Sequence, residues 1–131
     1  MAPVAGRQKR GSILVRHWEV AEEYVRQVLA RESGMTFEKR CIQLGSLAKE
    51  FDAVSTSGEI IAMVKAFDKP YQKSTPTQLK TRQDRCIVDC AWLARTTART
   101  KLLVFVEKDY AEWFRPYSEF LFPDVVIRWI S

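Results

Sequence analysis

Two short apolar runs with a helix start between them constrain the fold of this chain more than any other feature. Residues 59–67 and residues 101–108 are each largely apolar, which is typical of strands buried in the middle of a sheet. Between them, the letters STPTQ offer Thr75 as a helix cap, Pro76 at the first helical position and Gln78 to complete a capping box. The order strand, helix, strand implies a helix that crosses one face of a sheet.

Hydrophobic period and turn residues divide the rest of the chain into further elements. Apolar residues at helical spacing over 17–31, with Gly34 after them, predict a first helix. A mixed sheet flanked by helices is therefore expected, an α/β (α+β) fold in the order αβββαβ followed by αβ. The other predicted elements are strands at 36–47 and 49–56, a helix from 75 to about 98, an aromatic-rich helix at 109–121 that Pro116 bends or breaks, and a strand at 124–130.

Length and composition favour one domain without a membrane-spanning segment. The chain has 131 residues, of which 47% are hydrophobic and 28% charged, and this suits a single core. The longest apolar runs, 60–64 and 102–106, are too short to cross a membrane, and no signal-peptide pattern precedes them. We predict a flexible basic arm at residues 1–12 and a single domain at residues 13–131.

The cysteines predict a cytoplasmic, intracellular protein with reduced, buried thiols. Cys86 and Cys90 are four residues apart in a helical segment, Cys41 stands alone, and no CxxC pair occurs. Because the chain has only one histidine, a zinc site is not expected.

Positive charge is concentrated in two segments of the chain. The net charge is +5, with four basic and no acidic residues in 1–16, and eight basic and two acidic residues in 69–101. Such a distribution suits binding of a phosphate backbone. On charge alone, a solvated basic helix face is the simpler interpretation.

The second and third predicted strands contain a recognisable pattern. The letters FD at 51–52, followed by GEIIAMVK at 58–65 in the order αβββαβ, resemble the PD-(D/E)XK nuclease superfamily, which has the restriction-endonuclease-like fold. The resemblance covers roughly residues 17 to 108. It implies a metal-dependent nuclease in which Mg²⁺ or Mn²⁺, bound by hard carboxylate oxygens, polarises the scissile phosphate.

The resemblance assigns roles to individual residues. Asp52 matches the metal-binding aspartate of the second strand, and Lys65 matches the lysine that positions the attacking water. Glu22 is the choice for the glutamate of the first helix, with Glu23 as the neighbouring alternative. Strand spacing, rather than the resemblance, adds Glu50 as a candidate metal ligand, because it lies two residues before Asp52 and so on the same face. The residues expected to contact nucleic acid are Gln78, Lys80, Arg82, Arg85 and Lys73.

Met63 departs from the pattern, because it occupies the position of the usual Asp or Glu. A thioether is a poor ligand for Mg²⁺. Three interpretations stay open: a natural nuclease-fold protein without catalysis, an active enzyme with Glu50 or Glu22 as a displaced ligand, or an engineered replacement of the acid.

The expected function is nucleic-acid binding, of DNA rather than RNA, with hydrolysis of DNA phosphodiester bonds. The alternative is a non-catalytic nucleic-acid-binding or protein-interaction module on a degenerate nuclease fold. A third interpretation, a toxin-like or regulatory protein of unrelated mechanism, gains weight if Asp52 and Lys65 lie on opposite faces of the sheet. A homodimer or a larger nuclease complex is a further expectation, and no membrane partner is expected.

Overall fold

A computed structural model describes the backbone from Ala2 to Ser131 and the side chains from Trp18 onward. The predicted basic arm at residues 1–12 lies outside the residues whose side chains are described. The helices are α1 (Ala2–Ser33), α2 (Pro76–Arg95) and α3 (Lys108–Leu121), with a 3-10 turn at Tyr71–Lys73. The strands are β1 (Phe37–Leu44), β2 (Leu47–Ser55), β3 (Ile60–Lys65), β4 (Thr100–Phe105) and β5 (Val125–Trp129).

The five strands form one mixed sheet in sequence order, β1-β2-β3-β4-β5. The first three strands pair antiparallel, whereas β3, β4 and β5 pair parallel. Helices α2 and α3 make the two crossovers that parallel neighbours require. The predicted α/β fold class and element order are confirmed.

Apolar side chains fill both sides of the sheet. On one side, Phe51, Met63 and Leu103 pack with Cys86 and Leu93 of α2 and with residues of α3. On the other side, a smaller cluster joins Ala53, Ala62 and Val64 to Val25 and Leu29 of α1. The fold is therefore three-layered, with α1 on one face and α2 and α3 on the other.

Local sequence signals set most of the element ends. Thr75 accepts a hydrogen bond from the backbone of Gln78, whose side chain accepts one from the backbone of Thr75, so the predicted capping box is present. Helix α1 ends before Gly34, which has a φ of +73° that residues with a Cβ rarely adopt.

Three predictions about details of the fold need correction. Helix α3 continues through Pro116, so of the predicted bend or break the break is wrong. The first hairpin turns at Gly45, earlier than expected, because its φ of +64° suits a tight turn. Cys41 is exposed, whereas Cys86 and Cys90 are buried as predicted, and burial raises the pKa of each buried thiol to about 12. Within the described chain, no helix is long and apolar enough to cross a membrane.

Candidate functional site

A β-bulge in β2 positions Asp52. Glu38 pairs with Val54 and Arg40 pairs with Phe51, so Asp52 and Ala53 together lie opposite Lys39 alone. A bulge of this kind redirects a side chain and bends the strand. On its other edge, β2 pairs with β3 through Ala53 and Val54.

The Asp52 carboxylate adds a side-chain contact between β2 and β3. Its Oδ2 accepts a hydrogen bond of 2.7 Å from the backbone N–H of Val64 in β3. Burial raises the pKa of Asp52 to about 6, the Val64 hydrogen bond opposes that rise, and the nearby Glu22 carboxylate adds to it. Asp52 therefore has a structural role as a bridge between two strands.

Glu22 of α1 faces the same region and is bound by cations. It is buried, whereas the alternative Glu23 is exposed. Lys39 Nζ lies 2.9 Å from Glu22 Oε1, and this hydrogen bond raises the pKa of Lys39. Glu50 is exposed on β2 and contributes a weaker electrostatic effect on Lys39. Glu22, Lys39 and Asp52 are thus close enough to affect one another's charge.

Lys65 lies on the other side of the sheet. Its Nζ is 2.6 Å from Asp89 Oδ2 of α2, and both side chains are 12% exposed. Strand alternation puts Lys65 on the same face as Met63, which packs with the residues of α2. Asp52 and Lys65 therefore do not share a face as the sequence suggested, which is the arrangement that adds weight to the third interpretation, although Lys65 is near enough to lower the pKa of Asp52.

The residues at these positions do not fit a Mg²⁺ or Mn²⁺ ion in this arrangement. Met63 is 6% exposed and belongs to the apolar core. The Asp52 and Glu22 carboxylates already bind an N–H group and an ammonium group. Among residues 18–131, no group of three or more His, Cys, Asp or Glu is placed to hold a metal ion.

A cavity of about 520 Å³ lies beyond the carboxyl end of β3, and we call it the cleft. It combines an aromatic side chain of α1, the segment that follows β3 and the amino-terminal half of α2. Its lining includes Trp18, residues 66–68, Thr77, Gln78, Thr81, Arg82 and Arg85. Polar donors and aromatic groups thus converge on one concave surface, as in most small-ligand sites.

Arg82 is part of the wall of the cleft and is held firmly. Its guanidinium is buried and donates hydrogen bonds to Tyr110 Oη at 2.6 Å and to Asp68 Oδ1 at 3.1 Å. It also donates to Ser74, and Tyr110 donates to the carbonyl of Lys69. These bonds fix the segment between β3 and α2, so Arg82 has a structural role.

Two of the other predicted nucleic-acid contacts, Gln78 and Arg85, line the cleft, and Lys73 and Lys80 do not. Arg85 is exposed, and within residues 18–131 it forms no ion pair, which leaves its charge available to a ligand. Gln78 lines the cleft, while Lys80 is paired with Asp84 at 3.3 Å on the helix surface. Lys73 is exposed at the end of the 3-10 turn.

Sequence reasoning missed three residues of this region. Asp89 lies on the buried stripe of α2 between Cys86 and Leu93, and an acid at such a position signals a buried cation. Lys39 interrupts the alternation of β1, which is a comparable signal. Nothing in the sequence indicated that Trp18 would line a cavity with residues of α2.

Comparison of the chain with protein-family models, with curated proteins and with solved structures found no match.

Proposed function

We propose that this protein binds nucleic acid through the cleft and the adjoining surface of α2, as a non-catalytic module. The observation that carries the proposal is the exposed guanidinium of Arg85 in a cavity that also contains Trp18 and Gln78. An arginine, an aromatic ring and an amide are the groups that proteins use for phosphates and bases. DNA is the preferred ligand, with RNA as an arm of the test.

The charge of the cleft supports binding of an anion. Arg82 and Arg85 both line it, and Asp68 offsets only the charge of Arg82. The first turn of α2 also lies there, and the amino terminus of a helix carries a partial positive charge. Lys80 adds little to this charge, because Asp84 neutralises it on the helix surface.

The partners of the predicted catalytic groups argue against metal-dependent hydrolysis. Lys65 is neutralised by Asp89 on the α2 face, and Asp52 binds the Val64 N–H on the α1 side. An active site for phosphodiester hydrolysis needs the metal ligands and the water-positioning group to converge on one point. In this chain Lys65 is held by Asp89 of α2, whereas Asp52 is held by the backbone of β3, so the two groups do not converge.

A metal-dependent nuclease is the second candidate, because one observation favours it. Glu22 and Asp52 are two partly buried carboxylates near each other, and the pKa of Asp52 is raised to about 6. Perturbed carboxyl groups of this kind are enriched at active sites. In this candidate Glu22 and Asp52 would be the residues that hold Mg²⁺ or Mn²⁺, and the ion pair of Glu22 with Lys39 counts against it.

Binding is tested by fluorescence anisotropy with labelled single-stranded DNA, duplex DNA and RNA over a range of salt concentrations. Arg85→Ala is expected to weaken binding and to reduce the slope of log affinity against log salt by about 0.7 to 0.9, the value for one phosphate contact. Arg95→Ala is the matched control, because Arg95 is an exposed arginine on the same helix that lines a different pocket. Equal effects of the two substitutions would contradict the proposal.

Hydrolysis is tested on the same substrates in Mg²⁺ and in Mn²⁺, with the unmodified chain, Asp52→Asn and Met63→Glu. The proposal expects no cleavage by the unmodified chain. Cleavage that Asp52→Asn abolishes would support the second candidate instead. Cleavage by Met63→Glu alone would identify Met63 as the residue that prevents catalysis on an otherwise competent site.

A further inference from the structure

We infer that the cleft holds an unpaired nucleotide, with its base against Trp18 and its phosphate at Arg85. The inference rests on the proposed function and narrows it to single-stranded nucleic acid or to the unpaired ends and loops of a duplex. The groups that carry it are Trp18, Gln78 and Arg85, together with the size of the cavity.

The dimensions of the cleft suit one nucleotide. Its volume of about 520 Å³ is in the range of pockets that enclose a single small ligand, roughly 300 to 1,000 Å³. In a duplex the bases are stacked on one another, so their faces are not open to a protein side chain. A concave site with an aromatic wall therefore suits a base that has left the stack.

Trp18 supplies the aromatic wall. It is 38% exposed on α1 and lines the cleft opposite the residues of α2. An indole ring has a large face for stacking, and stacking accepts any of the bases. Phe67 also lines the cleft, but its ring is in contact with Tyr110 at a centroid distance of 4.6 Å and with the guanidinium of Arg82. Trp18 is therefore the ring that we expect a base to contact.

Gln78 supplies a directed hydrogen-bond donor. Its Oε1 accepts a bond of 3.0 Å from the backbone N–H of Thr75, so the capping box fixes the orientation of the amide. The NH₂ group of the same amide is then the part that can donate to a base or a phosphate. Thr77 and Thr81 add hydroxyl groups to the same wall.

Arg85 supplies the charge for one phosphate. Because it extends from the exposed side of α2 into the cleft, its guanidinium can bind a phosphate while the base occupies the cavity. The inference thus predicts a nucleotide that contacts α1 with its base and α2 with its phosphate.

The test compares an oligothymidylate of about eight nucleotides, which spans a typical single-strand site, with the same sequence in a blunt duplex. Anisotropy measures both affinities, and tryptophan fluorescence reports contact with Trp18. We expect tighter binding of the single strand with quenching of fluorescence. Trp18→Ala should weaken that binding roughly 5- to 150-fold, the cost of one lost stacking contact.

Two further variants separate stacking from folding. Trp18→Phe should retain most of the affinity but lose the quenching, since phenylalanine still stacks. Tyr24→Ala should leave binding unchanged, because Tyr24 is an aromatic residue of α1 with a similar exposure of 40% and it lines another pocket.

The outcomes distinguish this inference from the proposed function. Binding of the duplex as tightly as the single strand, with no effect of Trp18→Ala, would overturn the inference and leave nucleic-acid binding intact. Equal losses in Trp18→Ala and Tyr24→Ala would also overturn it. No binding of any nucleic acid by the unmodified chain would overturn both.

Discussion

Ionisation of Asp52 destabilises the folded state. Its pKa is 3.8 in the absence of the fold and about 6 in the protein, because burial disfavours the charge. Between these values the folded state binds more protons than the unfolded state, so stability falls as pH rises from about 4 to about 6. The free energy of unfolding falls by roughly 2–3 kcal/mol, and the fall is complete once the pH exceeds the pKa of Asp52 in the folded protein.

Asp52→Asn should remove this pH dependence. An asparagine retains an oxygen that can accept from the Val64 N–H but carries no charge. We therefore expect the variant to gain stability relative to the unmodified chain as pH rises from about 4 to about 7, as measured by urea unfolding at each pH. A constant difference across that range would contradict the raised pKa.

Lys65 and Asp89 form the buried ion pair of the α2 face. Removal of one partner leaves an uncompensated charge, so Lys65→Met should lower the free energy of unfolding by about 3–5 kcal/mol. The double variant Lys65→Met/Asp89→Leu should recover most of that loss, because it removes both charges together. Urea unfolding of Lys65→Met, Asp89→Leu and the double variant measures the coupling free energy between the two side chains.

Lys80→Met is the matched control for this pair. Lys80 and Asp84 are 3.3 Å apart on the same helix, but their side chains are 68% and 60% exposed. Solvent screens such a pair, so the variant should change stability by no more than about 0.5 kcal/mol. A similar cost for Lys65→Met and Lys80→Met would show that the Lys65–Asp89 pair is not effectively buried.

Helix α2 begins with a capping box that is readable in the sequence, and its contribution can be measured. Thr75→Ala removes the acceptor of the Gln78 N–H and should cost about 1 kcal/mol in the free energy of unfolding. Thr75→Ser should retain most of the stability, because serine is an equally good cap. Equal losses in both variants would indicate that the threonine methyl group, rather than the cap, stabilises this end of the helix.

Elements with strong local signals were predicted well, and irregular ones were not. The start of α2 and the end of α1 at Gly34 follow from residues adjacent in sequence. The bulge at Asp52 and Ala53 depends on the register between β1 and β2, and no residue of β2 alone encodes it. Pro116 remains within α3, because the packing of Tyr110, Phe114 and Ser118 holds the helix on both sides of the proline.

The molecule has two apolar clusters separated by the sheet, and both should unfold in one transition. Leu29 belongs to the cluster under α1 and Leu93 to the cluster under α2. Each substitution to alanine should cost about 2–5 kcal/mol, and the two costs should add within about 0.5 kcal/mol because the sites share no neighbours. Urea unfolding followed by circular dichroism and by tryptophan fluorescence checks this prediction.

A separate early transition in Leu29→Ala would contradict a single cooperative unit. In that case α1 would detach while the sheet and the other two helices stayed folded. Coincident transitions with the two probes, in the single variants and in the double variant, are the expected result.

The sequence by itself determined the order of the elements, the mixed sheet and the residue types that could carry chemistry. Hydrophobic period, caps and glycines act over a few residues, so these features need no information about distant parts of the chain. The capping box at Thr75 and the buried strands β3 and β4 are examples. The resemblance to a nuclease superfamily and the roles it implies remain predictions.

Only the tertiary structure decided which of those residues meet. Asp52 and Lys65 are 13 positions apart in sequence, yet the bulge and the strand alternation direct them to different sides of the sheet. Asp89 pairs with Lys65, and Lys39 pairs with Glu22, because each helix packs against the sheet and brings together residues that are far apart in sequence. Trp18 lines the cleft for the same reason. The cavity depends on how α1 and α2 are placed relative to β3, and local sequence patterns do not specify that placement.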